Sequence, residues 1–283
     1  MFAKFSRSWA LIKASASVLS KDKELLVFPA VSAVATLLVA ASFLGPIVWW
    51  AMGHPGELES QELSPLWYLY AFCFYLVQYF VIFFFNTGLI GAASIRLEGG
   101  DPTVSDGLRI AWSKIGVIFG YAAIAATVGM ILRAIEERAG WLGRIVTGLL
   151  GTAWTVASFM VVPVLVHRNV GPVDAVKESA SLLRQTWGEN LIGQGGIGVV
   201  FGLLYVLMFV LLGGVVALSA ATQSAVLIGS TVAVGVVCIL LLALTQTALQ
   251  GIYSAALYRY AVGHQNAEEF SGPLLQNAFA PKR

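Results

Sequence analysis

Six stretches of this chain, at about residues 25–52, 66–95, 115–132, 142–166, 191–217 and 225–260, are apolar and nearly free of charge. A helix crosses the roughly 30 Å of bilayer hydrocarbon in about 20 residues, with 17 near the lower limit, so each stretch can supply one span. A closed β-barrel also satisfies every backbone N–H and C=O in lipid, but it requires apolar and polar residues to alternate. Runs such as Val199–Leu212 do not alternate. The expected fold is therefore an all-α membrane protein with six transmembrane helices. Composition agrees, since only 11% of the 283 residues are charged against about 25% in a soluble domain. The last stretch exceeds one span and is expected to tilt or to run beyond the bilayer.

Basic residues orient such a bundle, because Lys and Arg collect in cytoplasmic loops. Residues 1–24 carry Lys4, Arg7, Lys13, Lys21 and Lys23. The apolar run that follows is too long for a cleaved leader, and it reads as a retained first span. The next connection has Glu57, Glu59 and Glu62 but no cation. Arg96, Arg109 and Lys114 follow the second span, Arg168, Lys177 and Arg184 the fourth, and Arg259, Lys282 and Arg283 the sixth. Placing both termini in the cytoplasm leaves only Arg133, Arg138 and Arg144 outside. The expected organisation is a cytoplasmic amphipathic segment (1–24), a six-helix domain (25–262) and a cytoplasmic tail (263–283).

Three cytoplasmic segments share an apolar stripe at steps of four, three and four: Phe5, Trp9, Ile12, Ala16; Val104, Leu108, Ala111, Ile115; and Val176, Ala180, Leu183, Trp187. This is the spacing of an amphipathic helix. Pro102 and Pro172 stand just ahead of the second and third patterns, where a first helical turn tolerates proline. The chain therefore reads as three units, each an interfacial helix followed by a helical hairpin, with the later interfacial helices near 103–115 and 173–190. Such helices either grip anionic head groups through Lys and Arg or pack beneath the bundle as elbows. The head-group candidates are His167, Arg168, Lys177 and Arg184.

No ionisable residue lies near the centre of a predicted span, which argues against a proton-coupled pump. Neutral polar groups are present instead: Gln78, Asn86 and Thr87, then Thr152 and Thr155, Gln194, and finally Thr245, Gln246, Thr247 and Gln250. Gln246 and Gln250 are one turn apart and share a face. With Asn86 they are the candidates for a ligand site or pathway; the alternative is hydrogen bonding across helices. Gly116 with Gly120, Gly198 with Gly202, and the Gly148, Gly151, Thr152 face have close-packing spacing, either inside one bundle or between subunits of a homo-oligomer. Pro46 and Pro163 are expected to bend their helices. Trp67, Tyr68 and Tyr70 suit an outer interfacial belt.

The chemistry of catalysis is hard to find. His54, His167 and His264 have no metal-ligand spacing, and neither a G-x-S-x-G elbow nor a P-loop occurs. Cys73 and Cys238 lie in apolar runs as small buried hydrophobes. Glu137 pairs with Arg133 at helical spacing. No cofactor and no metal is expected, and the scattered cations offer no nucleic-acid footprint.

The segments Lys21–Pro29 (KDKELLVFP), Arg96–Arg109 (RLEGGDPTVSDGLR), Ile131–Arg138 (ILRAIEER), Leu149–Trp154 (LLGTAW), Val170–Ser179 (VGPVDAVKES) and Thr186–Gly193 (TWGENLIG) resemble an uncharacterised family of bacterial multi-pass membrane proteins, catalogued as a domain of unknown function. The resemblance implies a bacterial inner-membrane protein and supplies no activity. In general organisation the chain is also similar to the membrane domain attached to some glycerophosphodiester phosphodiesterases. Three functions are compatible with these residues. The first is a non-enzymatic membrane organiser that binds lipid or a partner. The second is a channel for a small neutral solute through Asn86, Gln246 and Gln250. The third is an enzyme acting on lipid head groups, which requires His167 to converge with Glu178 or Asp174.

Overall fold

The computed structural model describes residues 2–53, 65–138, 140–185, 187–222, 224–263 and 270, without the side chains of 2–8, 138, 142, 185 and 187–196. His54, His264, the acidic 54–64 connection, the tail cations Lys282 and Arg283, and the side chains of Phe5, Trp187 and Gln194 lie outside the described residues. Among the described residues ten helices follow one another: α1 (Phe2–Lys21), α2 (Val27–Gly53, entered through a 3-10 turn at Lys23–Leu26), α3 (Pro65–Leu97), α4 (Val104–Ser113), α5 (Ile115–Arg138), α6 (Gly140–Ser158), α7 (Val161–His167), α8 (Pro172–Gln185), α9 (Trp187–Ala221) and α10 (Ala225–Ala261). No strand occurs among the described residues. Six helical stretches among the described residues are long and apolar enough to cross a membrane: α2 with its turn, α3, α5, α6 with α7, α9 and α10. The fold is that of an all-α membrane protein. Leu37, Leu38, Val206, Phe209, Val210 and Leu241 point outward on these spans, a surface that only hydrocarbon solvates cheaply.

Burial is concentrated at one end. In the most apolar windows of α3 and α10 only 6% of residues are buried. Beyond those windows nearly everything is covered: Thr87 to Ser94 of α3, and Ala248, Leu249 and Gly251 to Arg259 of α10. Here α1 packs on α9 and α10, α4 packs on α3, and α7 packs on α3 and α8. Phe270 is buried in the same core. The excess length of α3 and α10 thus forms the centre of a capped end, while the opposite, open end of the bundle is lined by outward-facing apolar side chains. Small residues permit this packing. A Cβ on Gly107 would lie 2.4 Å from Phe28 Cζ and 2.6 Å from the Gly88 carbonyl oxygen, so α3 and α4 meet backbone to backbone. A Cβ on Gly251 would lie 2.4 Å from Leu89 Cδ2, which fixes α10 against α3 in the same way.

The short helices begin and end for local reasons. Thr103 caps α4 with a reciprocal box: Asp106 N donates to Thr103 Oγ1 at 3.2 Å, and Thr103 N donates to Asp106 Oδ2 at 3.0 Å. The Thr103 hydroxyl, which donates to Asp106 Oδ2 at 2.6 Å, and then the Thr103 N–H hold the Asp106 carboxyl below its usual value. The fourth span is broken between α6 and α7. Pro163 lacks an N–H and its ring crowds the carbonyl four residues earlier, at Phe159. Buried Ser179 of α8 repairs the gap: Met160 N donates to Ser179 Oγ at 3.0 Å, and Ser179 Oγ donates to the Ala157 carbonyl at 2.6 Å. Pro46, by contrast, stays within continuous α2.

Two sequence expectations shift. The stripes of α1 and α8 are rotated from the predicted faces. α1 buries Leu11, Ile12, Ser15, Val18 and Leu19 while Trp9 and Ala16 are exposed, and α8 buries Ala175, Ser179 and Leu183 while Ala180 is exposed. Trp112 of α4 is likewise exposed. Small residues bring backbones together and the indoles take the outer side, and apolar spacing alone cannot distinguish a face toward lipid from a face toward protein. The glycine pairs also divide. Gly120 touches Pro172, but a Cβ on Gly116, Gly198 or Gly202 would meet nothing within 4 Å.

Candidate functional site: a cleft between three spans

The spans α2, α3 and α10 border a cavity of about 490 Å³, within the roughly 300–1,000 Å³ typical of ligand sites. Its wall is largely apolar, with Pro29, Ala33, Phe74, Ile82, Leu240 and Leu244, and polar groups enter at Ser32, Thr36, Tyr75, Gln78, Tyr79 and Thr247. Ile82 and Thr247 are exposed, so the cavity opens sideways toward whatever surrounds the spans. It is a lateral cleft rather than a pore.

Several of the polar groups are held by named partners. Thr36 Oγ1 donates back to its own helix, to the Ser32 and Ala33 carbonyls, both at 2.9 Å. Gln78 Nε2 donates to the Thr36 carbonyl at 3.2 Å and so ties α3 to α2. Its Oε1 is buried without a hydrogen-bond partner among the described residues. Tyr75, Tyr79 and Phe83 stack at one-turn intervals along α3, and Phe83 stacks on Tyr121 of α5 at 4.4 Å. At the end of this column Arg133 Nη1 donates to the Tyr75 hydroxyl at 2.9 Å, while Arg133 Nε pairs with Glu137 at 2.9 Å.

The residues expected from sequence to line a pathway lie elsewhere. Asn86 is half-buried and its Oδ1 faces the Gly251 position of α10. Gln246 accepts a hydrogen bond from the Tyr205 hydroxyl of α9 at 3.0 Å. Gln250 is half-buried on α10. None of the three lines the cleft.

Away from the α5–α6 hairpin, the basic residues that follow belong to the capped end, where most are tied down. Arg96 Nε lies 3.0 Å from buried Asp22, and Arg259 pairs with Glu98. Arg168 Nε lies 3.3 Å from Glu178; a Tyr258 hydrogen bond, then Glu178, raises its pKa further. Lys114 Nζ donates to the Arg168 carbonyl at 3.1 Å and to Asn169 Oδ1 at 2.6 Å, and burial pulls its pKa down. His167 Nδ1–H donates to the Pro163 carbonyl at 2.9 Å, and the ring stacks on Tyr258 at 4.8 Å. Lys177 pairs with Asp174 at 3.2 Å with both groups exposed. Arg184 is exposed and has no ion pair among the described residues. Glu178 is thus engaged by Arg168 and Asp174 by Lys177. No group of three His, Cys, Asp or Glu side chains able to hold a metal occurs among the described residues.

Sequence reading singled out Gln78 but passed over Ser32, Thr36, Tyr75 and Tyr79, because single hydroxyls in apolar runs carry no spacing signal. A detectable signal was present for the capped end. Gly88, Ala92, Ala93 and Arg96 of α3 recur at the same spacing as Gly251, Ala255, Ala256 and Arg259 of α10, the two helices at the centre of the cap.

The family model of DUF6159, a family of unknown function, matches residues 66–268. The chain belongs to this family. The DUF6159 match takes in α3 to α10, hence two walls of the cleft, Arg133 and the paired arginines of the capped end, while α1 and α2 precede it. No curated protein matches the chain.

Proposed function

We propose that this DUF6159 protein is a non-enzymatic lipid-binding protein of the bacterial inner membrane, crossing it six times with both termini in the cytoplasm. The lateral cleft between α2, α3 and α10 carries the reading. A cavity of that size, apolar and open toward the surroundings of the spans, is filled in a bilayer by lipid chains, because leaving it empty forfeits dispersion contacts on every wall. The cation distribution supports a cytoplasmic capped end, and the outward-facing Trp9 and Trp112 suit an interface there. There Arg184 and Lys177 reach toward anionic head groups.

The protein, extracted from its own membranes in mild detergent, is expected to show lipid adducts in native mass spectra. Ala243 of α10 also lines the cleft, and filling it with Ala243→Phe is expected to remove the adducts without unfolding the chain. Terminal reporters are expected to score both ends as cytoplasmic. A lipid-free wild-type spectrum, or termini on opposite faces, overturns the corresponding part of the proposal.

A further inference from the structure

Resting on the reading of the cleft as a lipid site, we infer that its occupant is an anionic phospholipid of the outer leaflet, with a chain in the cleft and its phosphate on Arg133 and Tyr75. Position is the first argument. Arg133 is 18 residues from Ile115, the start of α5, or about 27 Å along the helix, close to the far edge of a hydrocarbon layer roughly 30 Å thick. A guanidinium at that depth meets phosphates and glycerol esters, whereas the rest of the cleft lies deeper, among chains.

Donor chemistry is the second argument. Tyr75 is both a wall of the cleft and the acceptor of a hydrogen bond from Arg133. Since its oxygen accepts that bond, its own O–H remains to be donated, and no acceptor for it exists among the described residues. Arg133 has five N–H donors and uses two of them, on Nε and Nη1, for Glu137 and Tyr75, leaving one on Nη1 and both on Nη2. Two donors of different residues therefore converge at the lip of an apolar cleft. This is the arrangement that recognises an acidic oxygen attached to a hydrocarbon chain. Charge agrees in sign: the α5–α6 hairpin carries Arg133, Arg138 and Arg144 against Glu136 and Glu137. Glu137 shares the Arg133 guanidinium, so selection operates through hydrogen bonds to the phosphate more than through bare charge.

The test uses the full chain in nanodiscs of equimolar phosphatidylglycerol and phosphatidylcholine, with retained lipid read by native mass spectrometry after release into detergent. Wild type is expected to retain phosphatidylglycerol about tenfold over phosphatidylcholine, the worth of one charge-assisted hydrogen bond. Arg133→Gln combined with Tyr75→Phe is expected to erase the preference while total retained lipid stays near the wild-type level. Ala243→Phe is expected to reduce both lipids alike, and Ala33→Phe on the facing helix takes its place if that variant fails to fold. Wild type that retains lipid with no head-group preference, or a preference that survives loss of Arg133 and Tyr75, overturns this inference and leaves the cleft reading standing. Wild type that retains neither lipid overturns both.

Discussion

Asp22 sits at the joint between α1 and the turn leading into α2, buried, with the Arg96 guanidinium 3.0 Å away. Burial raises its carboxyl above the usual value, and the attraction of Arg96 only partly offsets this. A raised carboxyl favours the folded state increasingly as pH falls through its folded value, because the proton is held more tightly there than in the unfolded chain. Arg96→Gln leaves this charge buried and unpaired, so it is expected to cost about 3 kcal/mol, read as a fall in the thermal midpoint in detergent. Asp22→Asn is expected to cost less, because Arg96 keeps Asp101 at 3.5 Å and the Gly100 carbonyl at 3.2 Å. The difference between Arg96→Gln and wild type is expected to narrow as pH falls from neutrality, because protonation of the raised carboxyl removes the stranded charge. Widening on acidification would refute the assignment. Asp106 works with the opposite sign, since Thr103 holds its carboxyl low and that contribution fades as pH falls. Comparing two variants at each pH cancels it. Ser179 is the other residue whose loss is sharply defined. Ser179→Ala orphans the Met160 N–H at the α6–α7 break and is expected to cost about 1–3 kcal/mol, measurable as a lower midpoint and faster hydrogen exchange at Met160.

Among the helices, close approach separates glycines that sequence spacing treats alike. Gly107→Ala sets a methyl 2.6 Å from the Gly88 carbonyl oxygen and 2.4 Å from Phe28, so α4 must lift off α3. A cost of about 1–3 kcal/mol is expected. Gly202→Ala meets nothing within 4 Å and is expected to stabilise α9 by up to about 1 kcal/mol. Equal midpoints for the two variants would contradict the packing described. The six spans were legible because apolar length alone decides whether a helix can cross a bilayer, and their ends fall within a few residues of the runs in the sequence. The break at Phe159–Met160 was half legible. Pro163 announced a bend, but its repair by Ser179 comes from a helix with no local mark of that role. The rotation of α1 and α8 was not legible, since Trp9 is as apolar as any core residue and only its neighbours place it outside.

For the molecule as a whole, sequence gave the count of spans and the balance of cations between the two ends, but not where the protein core lies. That core arises from helices longer than a bilayer needs, and excess length in α10 is visible in the sequence only as a choice between tilting and projecting. The cleft was invisible for a related reason: it lies between α2, α3 and α10, and the way three helices distant along the chain meet leaves no local mark in any of them. One contact carries a temporal consequence. The seat of α1 is made by α9 and α10, which leave the ribosome long after it. α1 therefore waits without those two partners while α2 to α8 are inserted, and the capped end closes only when α10 arrives. Truncation anywhere before Ala225 leaves α1 without half of its dock, which gives quality control a simple mark of an unfinished chain.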